Sequence, residues 1–443
     1  MTNKSSDHLL RSSTKPGSET KCGSLYMRNT MSLGDITKRK SALGQEVFAF
    51  LVYVYAVAVP LRSNFKTEFL LVLILGFVWN VYRQGNGLSS IVKNQVFRAI
   101  MGYYALCILS LVYTAQTQAT LNFIVLQGTL PLLPILFYKQ LTRRQINTAL
   151  LFFSLSCFCL SVYASVDITR QYFEKYPQHW EQLQLIDWTF FSYFLPQNIR
   201  FHAPYYSLYI GACLLIHGYF LYSTKLTKKK ASFLLHLFFC VFYFGFQALL
   251  ASRTALVATV LVMALVGVYL ALRAGKYVVL VGVILFTIAS SVLVFQKVTY
   301  LRIKFSESAG VTQRKMMWTS ALDVIKAHPV LGVSPGETEN ALVDSYKANM
   351  FQEGVDSRFD AHNQFLMHGV SLGVLGALAF ALVLYFLFRE AIQKREFILF
   401  SFVAVFAICC LTESLMQRRD GTLLFSFMVA LLVFAPKEHL HKS

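Results

Sequence analysis

Residues 232–251 read SFLLHLFFCVFYFGFQALLA, and residues 254–272, after the two-residue turn Ser252-Arg253, read TALVATVLVMALVGVYLAL. Each block is about as long as the 20 or so apolar residues that carry a helix across a hydrocarbon layer. Inside lipid the backbone has no water to bond, so such a block must satisfy its own N–H and C=O groups, and a helix does this within one segment. Two apolar blocks joined by a turn therefore predict a pair of spanning helices. Working outward with the same rule gives about twelve blocks. They lie at 45–62, 69–82, 99–112, 119–138, 146–166, 205–222, 232–251, 254–272, 277–295, 369–388, 397–415 and 422–436. The fold class predicted is an all-α polytopic membrane protein.

Composition agrees. The 443 residues are 56% hydrophobic, 15% aromatic and only 14% charged, with a mean hydropathy of +0.51, which leaves too little polar surface to cover a soluble globule. The formal net charge of +19 does not indicate nucleic acid, because lysine and arginine sit between apolar blocks rather than on one solvated domain. Seven of the eight cysteines fall within apolar runs and Cys22 lies in the polar N-terminal tail, so neither a disulfide framework nor a metal site is expected. Residues 1–44 are rich in Ser, Thr, Lys and Gly and are predicted to be a disordered cytoplasmic tail. No small-residue cleavage pattern follows the first apolar block, which argues against a removable signal peptide. Met27 and Met31 are alternative start positions before that block.

Basic residues in short loops stay on the cytoplasmic side. Alternate loops carry them here: Arg83, Lys93 and Arg98; Lys139, Arg143 and Arg144; Lys225 and Lys228 to Lys230; Arg273 and Lys276; Arg389, Lys394 and Arg395. Residues 113–118 on the opposite side carry none. Both termini, including the short tail 437–443, are thus expected in the cytoplasm. Arg62, Lys66, Arg418 and Arg419 run against the bias.

Two long loops then face outward, 167–204 and 296–368, far longer than ordinary connections. In the second, Met317, Ala321, Leu322 and Ile325 have helical spacing over 314–327, and Leu342, Tyr346 and Met350 do so over 338–351. Gly332 to Gly336, with Pro335, reads as the turn between them. The loop is expected to form a small helical cap. It ends in Asp360-Ala361-His362-Asn363-Gln364-Phe365-Leu366 and runs into a glycine-rich span, where Gly369 and Gly373 are spaced as a step for close helix packing.

His362 stands at a membrane–water boundary, where an imidazole reads equally as a helix cap or a proton-transfer group. Arg253 lies in an outer turn where positive charge is unusual. Arg314 opens the amphipathic helix, and Arg200 ends the first outer loop in Ile199-Arg200-Phe201-His202. Singly, each reads as an ordinary solvated or snorkelling side chain. Jointly, three guanidinium groups and an imidazole on one side of the membrane suit a lipid diphosphate.

These segments resemble the bacterial O-antigen ligase and polymerase superfamily (the WaaL/Wzy group). The similar parts are Ser252-Arg253-Thr254-Ala255, Arg314 to Trp318 leading to Ala327-His328-Pro329-Val330-Leu331-Gly332, Asp360 to Gly376, and Thr412-Glu413-Ser414. In order and spacing the likeness covers the second half of the chain. It implies a GT-C-like glycosyltransferase of the bacterial inner membrane with a periplasmic active site. Glycan would pass from undecaprenyl diphosphate to lipid A-core, with inversion and without metal, nucleotide or other cofactor. It also implies His362 as the catalytic residue and Arg253, Arg314 and Arg200 as diphosphate ligands. Independently of the resemblance, Asp360 or Glu413 could orient the imidazole, although either carboxylate reads first as a solvated cap, and Asn363 is a further support candidate. A polymerase or a protein O-oligosaccharyltransferase would share donor and histidine and differ in acceptor. A transporter of the lipid-linked glycan would instead need ionisable groups at the bilayer midplane, where His217 and His236 are the nearest candidates.

Overall fold

The computed structural model describes residues 33–61, 65–84, 88–182, 186–227, 230–273 and 309–436. The expected ninth span at 277–295, the first part of the long loop after it, residues 1–32 and the tail 437–443 lie outside the described residues. Within them the chain is helical, with no strand. The helices are α1 (Leu33–Ala58), α2 (Phe65–Gln84), α3 (Gln95–Leu109), α4 (Thr117–Gln127), α5 (Thr129–Phe137), α6 (Arg143–Lys175), α7 (Trp188–Asn198), α8 (Ala203–Thr227), α9 (Lys230–Leu249) and α10 (Arg253–Arg273). After the undescribed stretch come α11 (Ala309–Ala327), α12 (Thr338–Ala348), α13 (Gln352–Ser357), α14 (Gln364–Lys394), α15 (Phe397–Cys410) and α16 (Arg419–Val429). α1 begins inside the stretch expected to be disordered.

Six helical stretches among the described residues are long and apolar enough to cross a membrane: Gln95–Val112, Thr117–Phe137, Arg143–Lys175, Lys230–Leu249, Arg253–Arg273 and Gln364–Lys394. Leu43–Ala58, Glu68–Val81 and Phe397–Cys410 are apolar but shorter. α16 is different in kind. Every residue from Asp420 to Ala435 is buried, so this helix is covered on all sides by others, as an all-round apolar helix requires. The paired histidines of α8 and α9 find partners within the protein. His217 Nδ1 lies 2.9 Å from His236 Nδ1, and its Nε2 lies 2.7 Å from Ser154 Oγ, as buried polar groups away from water demand.

α6 is 33 residues long, roughly 50 Å at the helical rise, and overruns a hydrocarbon layer of about 30 Å. Its far end holds Tyr172, which is fully buried against Phe190 and Phe191 of α7. The start of the expected outer loop 167–204 is thus a continuation of α6, and the rest folds back on it as a short aromatic helix.

The glycine-rich stretch departs from expectation. Gly373 interrupts α14 with φ 68° and ψ −170°, a region open essentially to glycine alone. The turn after Pro329 enters this break and takes over its backbone bonds: Val333 and Ser334 N–H donate to the carbonyls of Val370 and Ser371 (2.9 and 3.0 Å), while Val374 N–H donates to Pro329 O (2.8 Å). A Cβ on Gly373 would lie 2.1 Å from Val330 O. Gly373 is therefore a crossing point for two backbones rather than half of a packing step between spans. Gly369 does permit close packing, but against Ile325 of α11.

The helical cap is present. Met317, Ala321 and Val324 of α11 and Leu342 and Tyr346 of α12 form a separate small core with Phe351, Ala361, Met367 and Val370. Leu322 points outward, and Met350 is 91% exposed. The reason for Met350 is local: α12 stops at Ala348 and Met350 adopts φ 52°, which breaks the helical register that would have aligned it with Leu342 and Tyr346.

Candidate functional site

Four helices, α8, α10, α14 and α16, begin at the same end of the bundle, and their first turns are stitched to one segment, residues 411–418. Tyr205 Oη donates to Ser414 O (3.1 Å), and Thr412 Oγ1 donates to Thr254 Oγ1 (2.8 Å). Asn363 Nδ2 donates to Leu411 O (3.1 Å), and Met416 N–H donates to Gln364 Oε1 (2.6 Å). Arg418 itself precedes the first residue of α16. Helix N-termini carry partial positive charge, so this convergence favours anions at that end.

His362 and Glu413 meet in this seam. His362 Nδ1 lies 3.4 Å from Glu413 Oε2, the outer limit of a hydrogen bond. Glu413 Oε1 lies 4.0 Å from Arg314 Nη2, so one carboxylate stands between the imidazole and a guanidinium. The Glu413 side chain is 14% exposed, those of His362 and Arg314 30% and 31%, which leaves the imidazole and the guanidinium open to a ligand while the carboxylate between them is mostly covered. Asp360 Oδ1 accepts from His362 N–H (2.7 Å) and from Ser414 Oγ (2.9 Å) but lies 3.9 Å from His362 Nδ1, so it shapes the turn and does not hold the ring.

His362 has φ 44°. A non-glycine residue in this left-handed region costs roughly 1–2 kcal/mol, partly offset by the charge-assisted bond to Asp360. Arg200 (φ 57°) and Ala251 (φ 49°) turn through the same region just ahead of α8 and α10. Backbone strain collects where a structure holds side chains in set positions. The His362 pKa is raised. Burial opposes its protonation, but the Glu413 hydrogen bond and the Asp360 and Glu413 charges outweigh burial and the repulsion from Arg314.

Asn363 accepts from the N–H groups of Phe365 and Leu366 and so caps α14. That role and its bond to Leu411 use the side chain structurally. Arg253 opens α10 beside the Thr254–Thr412 bond and is half-buried. Arg200 is exposed, two residues before His202. His202 was not singled out by its sequence context, yet crowding by protein lowers its pKa, and it lies within the electrostatic reach of Glu413, Arg418, His362 and Asp360. Only its position ahead of α8, at the end that also receives α14, signalled this. Gln364 was likewise read only as part of the motif around His362.

The fold and this seam define a polytopic helical membrane protein with an imidazole, a carboxylate and guanidinium groups gathered at one end of its bundle. Residues 238–381 match the family model described as O-antigen ligase, and the match supports membership of the O-antigen ligase and polymerase superfamily. The matched stretch includes Arg253, Arg314 and His362; Arg200 and Glu413 lie outside it. A comparison with curated proteins gave no match.

Proposed function

We propose that the chain is an O-antigen ligase of the bacterial inner membrane, moving glycan from undecaprenyl diphosphate to lipid A-core at the periplasmic face. The observation that carries this reading is the His362–Glu413–Arg314 contact within and beside the O-antigen ligase match. Both termini would lie in the cytoplasm, about twelve spans would cross the bilayer, and the bundle would be GT-C-like.

Glu413 faces Nδ1 of His362, which leaves Nε2 for the substrate. With Nδ1–H pointing at the carboxylate, the neutral ring presents a lone pair at Nε2. An acceptor hydroxyl gives its proton to that lone pair as its oxygen bonds the anomeric carbon. The bond from that carbon to phosphate oxygen breaks on the opposite face, and the diphosphate leaves with the electron pair, so the configuration inverts. Arg314 and Arg253, with Arg200 assigned a supporting part, would bind the phosphates as their charge grows.

Glycan gels of a deletion strain test the acceptor. Bare core with long polymer left on its carrier supports a ligase. Core bearing one repeat identifies a polymerase, and loss of glycan from a protein identifies a protein O-oligosaccharyltransferase. Flipping of lipid-linked glycan by purified protein, with no covalent product, would replace all three readings with transport.

A further inference from the structure

We propose that Gln364 is a positioning residue for glycosyl transfer: through the backbone of Met416 it holds Glu413 in register with His362. The inference rests on the reading of His362 as the base.

Leu411 and Thr412 N–H still donate to the carbonyls of Ile408 and Cys409 (3.1 Å each), but the helix itself ends at Cys410 and Glu413 lies in a bend, so no helical ladder fixes the carboxylate that faces the imidazole. Side chains do this instead. Three of their bonds tie the Asp360–Gln364 turn to this segment: Asn363 to Leu411 O, Ser414 to Asp360, and Met416 N–H to Gln364 Oε1. The first is exposed and the second partly so, whereas the third, at 2.6 Å, is buried. A buried bond escapes competition from water and is costly to leave unmade.

The surroundings of Gln364 leave its amide one orientation. Met416 N–H needs an acceptor, so Oε1 faces it, and Nε2 then donates to His368 Nε2 at 3.0 Å. Gln364 and His368 are both fully buried. On its other side the Met416 carbonyl accepts from Gln127 Nε2 (2.7 Å) and Thr422 Oγ1 (3.1 Å). Both backbone polar groups of Met416 are thus clamped by buried side chains from α4, α14 and α16. Gln364 stands two residues after His362, and Met416 three after Glu413, so this is the buried one of the three bonds that join the two segments bringing imidazole and carboxylate together. The His362–Glu413 contact is already 3.4 Å long, and a small drift of the segment would break it.

The test is a double-mutant cycle on the purified full chain in lipid nanodiscs, with lipid-linked glycan as donor and core glycolipid as acceptor. Gln364→Met keeps side-chain length and removes both hydrogen-bonding groups. It is expected to lower kcat by about tenfold with donor KM changed by less than about twofold, and to move the acidic limb of the pH profile downward as Glu413→Gln does. In the double variant its loss should add nothing to that of Glu413→Gln. Wild-type kinetics for Gln364→Met, or losses that multiply in the double variant, would overturn the inference. If Gln364→Met fails to accumulate, Gln127→Met combined with Thr422→Val releases the other side of Met416 and must show the same kcat-selective loss; unaltered kinetics there overturn it equally. Wild-type transfer by His362→Ala or Glu413→Gln would sink the reading of the site itself, a result distinct from failure of Gln364 alone.

Discussion

Replacing Gly373 by alanine tests the geometry that brings the cap to the bundle. At φ 68° and ψ −170° a side chain costs roughly 1–3 kcal/mol in backbone strain alone. The added Cβ would lie 2.1 Å from Val330 O, 2.3 Å from Val330 C and 2.6 Å from Leu331 N, all backbone atoms held in a turn. Relief requires the two chains to part, which strains or breaks the three crossing hydrogen bonds, each worth about 0.5–1.5 kcal/mol net. The summed penalty is about 2.5–7.5 kcal/mol, reaching beyond the range of most single substitutions. Gly369→Ala meets only the tip of Ile325 at 2.6 Å, a flexible side chain, and should cost less than about 1.5 kcal/mol. Thermal unfolding of the two purified variants, with cysteine-accessibility labelling of α11, measures the difference. Gly373→Ala should unfold well below wild type and expose α11, while Gly369→Ala should stay close to it. Equal stability of the two variants would refute the crossing and restore a simple packing step between spans.

Four further outcomes follow from the site. His362→Ala is expected to abolish transfer with membrane abundance intact; normal glycan gels from a well-expressed variant would count against its role as base. Arg314→Lys and Arg253→Lys should each lower transfer at least about tenfold, because an ammonium cannot reproduce the planar two-point grip on phosphate, and unchanged donor KM and kcat would remove them from the clamp. Glu413→Gln removes the charge that raises the His362 pKa and leaves only a weaker, neutral acceptor for the ring. Since the base acts when neutral, the acidic limb of kcat/KM should then move to lower pH while the plateau falls, and an upward shift would contradict the assignment. Impermeant thiol labelling of a cysteine placed at position 362 should react from the periplasmic side, and reaction only from the cytosol would leave the proposed transfer without a site.

The apolar blocks were legible because a helix in lipid must be long and apolar over its whole length, a property each segment carries alone. Blocks 254–272 and 232–251 therefore coincide closely with α10 and α9. The cap helices were legible for the same local reason, from the spacing of Met317 and Ala321 and of Leu342 and Tyr346. Met350 failed that reading because the helix ends at Ala348 and Met350 itself takes a left-handed backbone. His362, Arg253 and Arg314 stood out as polar groups at membrane boundaries. Glu413 was legible as a support candidate beside Asp360 and Asn363, but not which carboxylate faces the ring: Glu413 is 51 positions from His362 and reaches it only through a turn held by Gln364, Gln127 and Tyr205.

By itself the sequence determined that this protein lies in lipid as a set of helices with a helical cap, since hydrophobic length and period are properties of contiguous residues. Only the tertiary structure decided that Gly373 opens a helix to a distant turn, and that one carboxylate stands between His362 and Arg314. Hydrogen bonds and close contacts depend on distance in space, and several helices must pack before those distances exist.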